Sequence, residues 1–202
     1  MRSIIENHTP EFIDFDSNRK SAVLIPLIKK DERYYILFEV RAAGISQPGD
    51  ISFPGGVVEK GESIKETVIR ETKEELGLKD TNISFWGQCD TYWNGKNRII
   101  YSFAGQIDPE AVRINHDEVE SIFTVPLEYF LENDPMVYET SVTEIPNENF
   151  PYEKIQGGRK YRWIQAKKQV LFYEYDGYVI WGITAKLLHA FIKVIRNETK
   201  DI

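Results

Sequence analysis

The pattern of apolar and polar residues begins with two strand-like runs. Residues 22–28 form a continuous apolar run, as in a strand buried on both faces, and Pro26 within it is expected near an edge or a bulge. Residues 34–40 form a second apolar run, and the four charged residues between the runs are typical of a turn. The pattern therefore predicts a β-hairpin.

Later segments alternate between strand and helix patterns. A Pro/Gly-containing loop at 42–52 follows the hairpin, and Asp176-Gly177 is a typical hairpin turn. Predicted strands lie near 83–90, 98–107, 120–125, 169–175 and 178–182, and predicted helices lie at 63–76, 127–131 and 183–194. This order predicts an α+β fold with a mixed β-sheet flanked by helices. We expect an N-terminal arm over residues 1–20 and a single domain over residues 21–200.

The helix at 63–76 carries its own start and stop signals. Ser63 followed by Glu66 forms a capping box, and Gly77 suits the left-handed residue that ends a helix. Its apolar stripe, which is expected to pack on the sheet, consists of residues 64, 68, 69, 72 and 76.

Three glutamates on this helix share one face. Glu71, Glu74 and Glu75 stand at i, i+3 and i+4, where like charges destabilise a helix by roughly 0.2–0.5 kcal/mol per pair. A hard cation such as Mg²⁺ or Mn²⁺ among the carboxylates would explain the cluster. The alternative is an ordinary solvated face, because Arg70 stands four residues from both Glu66 and Glu74. The glycine pair Gly55-Gly56 favours the cation, since backbone free of side-chain bulk can approach a metal or phosphate closely.

Composition and charge exclude several classes of protein. The net charge of −7 argues against a protein that coats nucleic acid, but a bound cation can still recruit an anionic small ligand. No run approaches the roughly 20 apolar residues of a membrane span, and residues 1–7 lack the apolar core of a signal peptide. Cys89 is the single cysteine, which fits a reducing compartment and a structural thiol. We therefore expect a cytoplasmic protein, either a monomer or a homodimer.

The glycines and charged residues of this region resemble the Nudix box. The match runs over 23 residues, from Gly56 through Glu62 to the segment 70–78, and keeps every charged and glycine position. Thr72 stands where an aliphatic residue is usual, and it falls on the apolar stripe. The resemblance implies the Nudix fold, an α/β/α sandwich in which the box is a loop-helix-loop, and a diphosphate hydrolase that uses Mg²⁺ or Mn²⁺.

Three further segments resemble coenzyme A diphosphatases. They are residues 37–42 with Gly49 and 53–56, residues 115–119 with 123–127, and residues 179–185. The stretch 43–48 departs from that signature, because it lacks a second arginine. The resemblance implies cleavage of coenzyme A to 4′-phosphopantetheine and 3′,5′-ADP. The alternatives are an ADP-ribose or nucleoside triphosphate diphosphatase, or a Nudix module that binds a nucleotide without catalysis.

The Nudix resemblance also assigns roles to the acidic and glycine residues. It implies that Glu71 and Glu75 are metal ligands, helped by Glu74 and the Gly55 carbonyl. Gly56 is expected to admit the substrate.

The remaining roles have alternatives. The general base is either Glu74 or Glu118, although Glu118 could also be a solvated loop acid. Arg41 is a candidate phosphate contact or a surface charge. Glu62 and Arg70 are expected to support the site, with Arg70 orienting Glu74 or Glu71 rather than contacting the substrate. Trp181 is expected in the core rather than as a platform for base stacking.

Overall fold

The computed structural model of this protein describes residues 18–94 and 97–198. The predicted arm therefore lies outside the described residues up to position 17, and the first strand already begins at Arg19. The strands are β1 (Arg19–Lys30), β2 (Arg33–Arg41), β3 (Ile51–Ser52), β4 (Gly55–Val57), β5 (Ile83–Trp93), β6 (Arg98–Ile107), β7 (Val119–Pro126), β8 (Met136–Thr143), β9 (Gln165–Tyr175) and β10 (Tyr178–Trp181). The α-helices are α1 (Ile64–Leu76), α2 (Leu127–Glu132) and α3 (Gly182–Glu198).

The main sheet is mixed and lies between two helical layers. Its strand order is β3-β2-β1-β6-β5, with β4 paired to β1 and β7 paired to β2, and the β1–β6 pair is parallel. Helix α1 packs on one face, where Val68 and Leu76 join a cluster with Ala22 and Leu24. Helices α2 and α3 pack on the opposite face together with the smaller sheet β10-β9-β8. The predicted α+β class and α/β/α arrangement are confirmed.

Strands β1 and β2 separate beyond their hairpin, and the segment that contains β3 and β4 lies between them. Lys30 pairs with Arg33, so Asp31 and Glu32 form a two-residue turn with φ values of 47° and 65°. The two strands pair directly only at 27–30 with 33–36; beyond that, β4 pairs with β1 and β3 pairs with β2. The split thus brings the chain around Gly55 between the two strands.

Pro26 lies within β1 rather than at an edge or bulge. It pairs with Gly105 of the parallel strand β6. On its other side it falls between the residues paired with β4 (21–23) and those paired with β2 (27–30). The missing N–H is tolerated because no antiparallel ladder passes through that position.

Helix α1 begins and ends as its sequence signals predict. The Ser63 hydroxyl accepts from the Glu66 N–H, the Glu66 carboxylate accepts from the Ser63 N–H, and Gly77 is left-handed at φ 64°. Thr72 is fully buried, and its hydroxyl donates to the Val68 carbonyl at 2.7 Å. The hydroxyl is thus satisfied within the helix, so threonine can occupy the apolar stripe.

The loop before β7 is fastened to the end of α1. The Arg113 N–H donates to the Leu76 carbonyl and the Asn115 N–H donates to the Glu75 carbonyl, each at 2.8 Å. A side chain at Gly77 would lie 2.2 Å from the Arg113 carbonyl oxygen, so only glycine admits this approach. The contacts bring Glu118 towards the glutamates of α1.

The small sheet connects directly to α3. Asp176 and Gly177 form the predicted turn between β9 and β10, both at positive φ. The Thr184 hydroxyl donates to the Ile51 carbonyl at 2.9 Å and fastens the start of α3 to β3. Among the residues the structure describes, no helix has the length and apolar character needed to cross a membrane.

Candidate active site

Four glutamates from three parts of the fold lie within electrostatic reach of one another. They come from β2, from α1 and from the loop before β7, and we call them the acidic group: Glu39, Glu71, Glu75 and Glu118. Glu118 raises the pKa of each of the other three. The fold therefore concentrates negative charge where the β1–β2 split meets the end of α1.

Glu75 is the carboxylate most directly tied to the glycine pair. Its side chain is buried, with 5 % exposed, and its Oε2 accepts a hydrogen bond from the Gly55 N–H at 2.7 Å. Burial raises its pKa to about 8, and nearby Glu71 adds to the rise, whereas the Gly55 hydrogen bond opposes it. The ionised form of Glu75 would gain from a positive charge placed beside it.

Glu39 belongs to the acidic group although no site role is predicted for it from the sequence. It is 2 % exposed on β2, and its Oε1 is buried without a hydrogen-bond partner. Burial raises its pKa well above the usual range, Glu75 and Glu118 add to the rise, and Arg41 opposes it. The available signal was a carboxylate inside an apolar run, since strand alternation places it on the same face as Leu37 and Arg41.

Glu71 lies directly against the second glycine. A side chain at Gly56 would come within 2.2 Å of Glu71 Oε1, which explains why position 56 carries none. Glu71 is 15 % exposed and pairs with Arg70, whose Nη1 lies 2.9 Å from its Oε1. Burial raises the pKa of Glu71, and the Arg70 charge opposes that rise.

Arg70 links three carboxylates on the outer side of α1. Besides Glu71, its Nε and Nη2 bind the two oxygens of Glu62 at 2.9 and 3.1 Å, and its Nη1 lies 3.0 Å from Glu74 Oε2. These bonds, with a 2.7 Å hydrogen bond from Thr67, lower the pKa of Glu62 to about 2. Arg70 thus contacts both glutamates that it was expected to orient.

Glu74 lies with Arg70 and Glu62 on the outer side of α1 rather than in the acidic group. Its side chain is 53 % exposed and pairs with Arg70, and it lines a surface depression with Glu62 and Lys73. The predicted residues that do come together are Gly55, Gly56, Glu71, Glu75 and Glu118. The spacing of the three glutamates predicts a shared helical face, but it does not show that Glu75 points towards the sheet while Glu74 points away.

Arg41 lies between the acidic group and the cleft described below. Its Nε donates to the Ser46 carbonyl at 2.9 Å. Its positive charge opposes the rise in the pKa of both Glu39 and Glu75. Its side chain also lines the cleft. Arg41 is therefore positioned by its own loop rather than free on the surface.

The acidic group has the donor chemistry of a divalent-cation site. Within residues 18–94 and 97–198, no three acidic, histidine or cysteine side chains are placed to hold a metal ion as they stand. In this arrangement Glu71 is engaged by Arg70 and Glu75 by the Gly55 N–H. Their oxygen donors, together with the buried unpartnered Oε1 of Glu39, nevertheless fit Mg²⁺ or Mn²⁺.

A cleft of about 500 Å³ adjoins the acidic group at Gly55, Gly56 and Arg41. Its floor is formed by β1, β4, β5 and β6, and its wall by β9 and the first turns of α3. Trp181 lies at its edge, 44 % exposed and stacked on Phe172 at 5.8 Å, so the prediction of a core tryptophan is wrong.

Cys89 behaves as a structural thiol. It packs against the core on the α3 side of the sheet. Burial, with a contribution from Asp90, raises its pKa to about 11, so the thiol is protonated at neutral pH.

The chain is similar in sequence and in fold to several known proteins. Residues 18–142 match the model of the NUDIX domain family. Nudix hydrolase 3 of Caenorhabditis elegans is 25 % identical over 98 % of this chain and 82 % of its own length. The peroxisomal coenzyme A diphosphatase NUDT7 of Mus musculus is 32 % identical over 60 % of this chain and 52 % of its own length. A crystal structure of a MutT/nudix family protein from Enterococcus faecalis matches 96 % of this chain and 67 % of its own at a TM-score of 0.52 and 16 % identity, which shows a shared fold.

Proposed function

This chain belongs to the NUDIX family and is a hydrolase of diphosphate linkages; from that premise we propose that it cleaves coenzyme A or its derivatives to 4′-phosphopantetheine and 3′,5′-ADP. The observation that carries the proposal is the buried acidic group beside Gly55 and Gly56, at one end of a cleft large enough for a nucleotide. The similarity to a coenzyme A diphosphatase supports this substrate over others.

Mg²⁺ or Mn²⁺ is the proposed cofactor. Glu71, Glu75 and Glu39 are the ligands that the geometry favours. Ligation by the Gly55 carbonyl and by Glu74 stays a prediction. When bound, such a cation neutralises the diphosphate and lowers the pKa of a coordinated water. Arg70 keeps Glu71 directed towards Gly56.

The remaining groups position the substrate and move a proton. The missing side chain at Gly56 leaves room for the Glu71 carboxylate, so a cation held there would attract the diphosphate to this backbone. Arg41 donates to a phosphate oxygen at the cleft end of the site. Of the two candidate bases, Glu118 is favoured because it lies in the acidic group and is half-buried, whereas Glu74 is exposed and paired with Arg70. Glu118 then takes the proton from the attacking water.

A second candidate substrate class is ADP-ribose or a nucleoside triphosphate. The acidic group and glycine pair would act on any diphosphate of this type, so the distinction depends on the cleft. A substrate panel with Mg²⁺ and with Mn²⁺, read as product formed per substrate, separates the candidates. The proposal expects the highest kcat/KM for coenzyme A, and equal cleavage of ADP-ribose and coenzyme A would contradict it.

A further inference from the structure

The cleft is basic although the chain as a whole is acidic. The net charge of the chain is −7, yet the cationic residues that line the cleft outnumber its single acid, Asp50. They are Arg19, Arg41, Arg98, Lys168 and Lys186. A cleft of one sign of charge concentrates ligands of the opposite sign.

Two of these cations, Lys168 and Lys186, line the cleft within electrostatic reach of each other. In the described parts of the chain neither forms an ion pair with an acidic side chain. The neighbour Lys167, on the opposite face of β9, is neutralised by Glu139 at 2.7 Å. Burial lowers the pKa of Lys186, and the nearby Lys168 charge lowers it further. Two uncompensated positive charges in one cleft, one of them half-buried, favour a bound anion.

Tyr92 holds Lys186 in place at the floor of the cleft. The Lys186 Nζ lies 5.7 Å from the centre of the Tyr92 ring. Tyr92 pairs with Ile100, Ile100 with Ser21, and Ser21 with Val57, the residue after Gly56. Three strand spacings of about 4.8 Å each put Tyr92 about 14 Å from the glycine pair. The Tyr92 end of the cleft, where Lys186 lies, is therefore distinct from the end at Gly56.

We propose that Lys168 and Lys186, with Tyr92 positioning Lys186, form a subsite for a phosphomonoester on the nucleoside part of the substrate. This inference rests on the proposed function, because it assumes that the diphosphate lies at Gly55 and Gly56. The lysines come from β9 and α3, beyond the residues 18–142 that the family model matches. The subsite would make the enzyme prefer nucleotides with a phosphate on the ribose.

Binding of two uncleaved nucleotides tests the subsite directly. Adenosine 3′,5′-bisphosphate and 5′-AMP differ by one phosphate, and calorimetry gives the affinity of each for the full chain. The variants are Lys168→Ala and Lys186→Met, the second of which keeps an aliphatic stem against Tyr92. Matched controls are Lys167→Ala on the opposite face of β9 and Lys193→Ala, which is exposed further along α3.

The expected result is selective loss of affinity. Each subsite variant should weaken binding of the bisphosphate by about tenfold, as for loss of one charge-assisted hydrogen bond. The affinity for 5′-AMP should not change. Equal loss for both nucleotides, or the same loss in Lys167→Ala, would overturn the subsite. If the preference for the bisphosphate over 5′-AMP is lost in Arg19→Ala or Arg98→Ala rather than in the lysine variants, the subsite is overturned as well.

The design separates this inference from the proposed substrate. If coenzyme A is not cleaved but the bisphosphate preference depends on Lys168 and Lys186, the subsite stands and the substrate proposal fails. If coenzyme A is cleaved with the same kcat/KM ratio to its 3′-dephospho form in wild type and in Lys186→Met, the subsite fails and the substrate proposal stands.

Discussion

The acidic group and the basic cleft that adjoins it carry opposite charges, and the fold holds them differently. On the acidic side, Glu39 and Glu75 are almost fully buried in β2 and α1, and their pKa values are raised. On the basic side, Lys168 is exposed and Lys186 half-buried on β9 and α3. Burying like charges destabilises a protein, so their retention points to a functional requirement. The acidic side is therefore suited to holding a cation, whereas the basic side is accessible to a ligand.

This contrast predicts different consequences for mutations on each side. Neutralising the acidic group should reduce turnover with little loss of stability, whereas neutralising the lysines should reduce affinity with little loss of turnover. The variants below test the acidic side, then its support, and finally a site remote from both.

The largest effect is expected for Glu75→Gln. The amide keeps the shape and can accept from the Gly55 N–H, but it removes the charge. Loss of several kcal/mol of cation-dependent stabilisation lowers kcat on the order of a thousandfold. Steady-state kinetics and a thermal melt measure both effects, and the melting temperature should stay level or rise. Glu128→Gln, exposed on α2, is the control. Full turnover in Glu75→Gln would contradict the metal assignment.

A smaller effect is expected for Glu39→Gln. If Glu39 contributes its unpartnered oxygen to the site, the variant should lose roughly 10–100-fold in metal affinity or kcat/KM. Its stability should not fall, since a buried charge is replaced by a neutral amide. Activity titrated with Mn²⁺, alongside melting in a chelator, provides the measurement, with exposed Glu120→Gln as control. Unchanged activity together with a lower melting temperature would make Glu39 structural.

Glu62→Gln tests the support that Arg70 receives. The folded pKa of Glu62, about 2, lies below its ordinary value of 4.5, so the unfolded chain binds more protons between these pH values. Its contribution to stability is present above pH 4.5 and is lost as the pH falls towards 2. Denaturant unfolding should show wild type more stable than Glu62→Gln at pH 7, with the difference shrinking below pH 4.5. A difference that does not depend on pH would contradict the assignment, and Glu59→Gln is the control.

The smallest effect is expected at the β1–β2 turn, far along the sheet from the cleft. Asp31 and Glu32 both adopt positive φ, a conformation that Asn-Gly favours. Asp31→Asn combined with Glu32→Gly should raise the free energy of unfolding by about 1 kcal/mol. Chemical denaturation measures this gain, and kcat and KM should not change. A loss of activity would show that the turn and the cleft are coupled.

Local signals allowed much of the acidic side to be predicted from sequence. The capping box at Ser63, the left-handed Gly77 and the spacing of Glu71 and Glu75 each depend on neighbours within one helix. Glu39 was missed because its partners come from α1 and from the loop before β7, which only the fold brings together. Glu74 shares a helical face with Glu71 and Glu75, but spacing alone does not show which edge of that face meets the sheet.

Almost no local sequence signal predicts the basic side. Lys168 and Lys186 belong to a strand and a helix whose mutual placement depends on how β9, β10 and α3 pack against the main sheet. Lys167 and Lys168 look equivalent in sequence, and only the pairing of β9 with β8 places Glu139 beside the first. Trp181 is predicted in the core, whereas the structure leaves it at the edge of the cleft, next to the start of α3.

Mass spectrometry of the products formed from coenzyme A in ¹⁸O-labelled water with Mg²⁺ tests the central claim most directly. The account predicts 4′-phosphopantetheine and 3′,5′-ADP in equal amounts, with one ¹⁸O atom in a single one of the two products and formation slowed on the order of a thousandfold in Glu75→Gln. Intact coenzyme A after incubation with wild type, or the same products from Glu75→Gln at an unchanged rate, would contradict it.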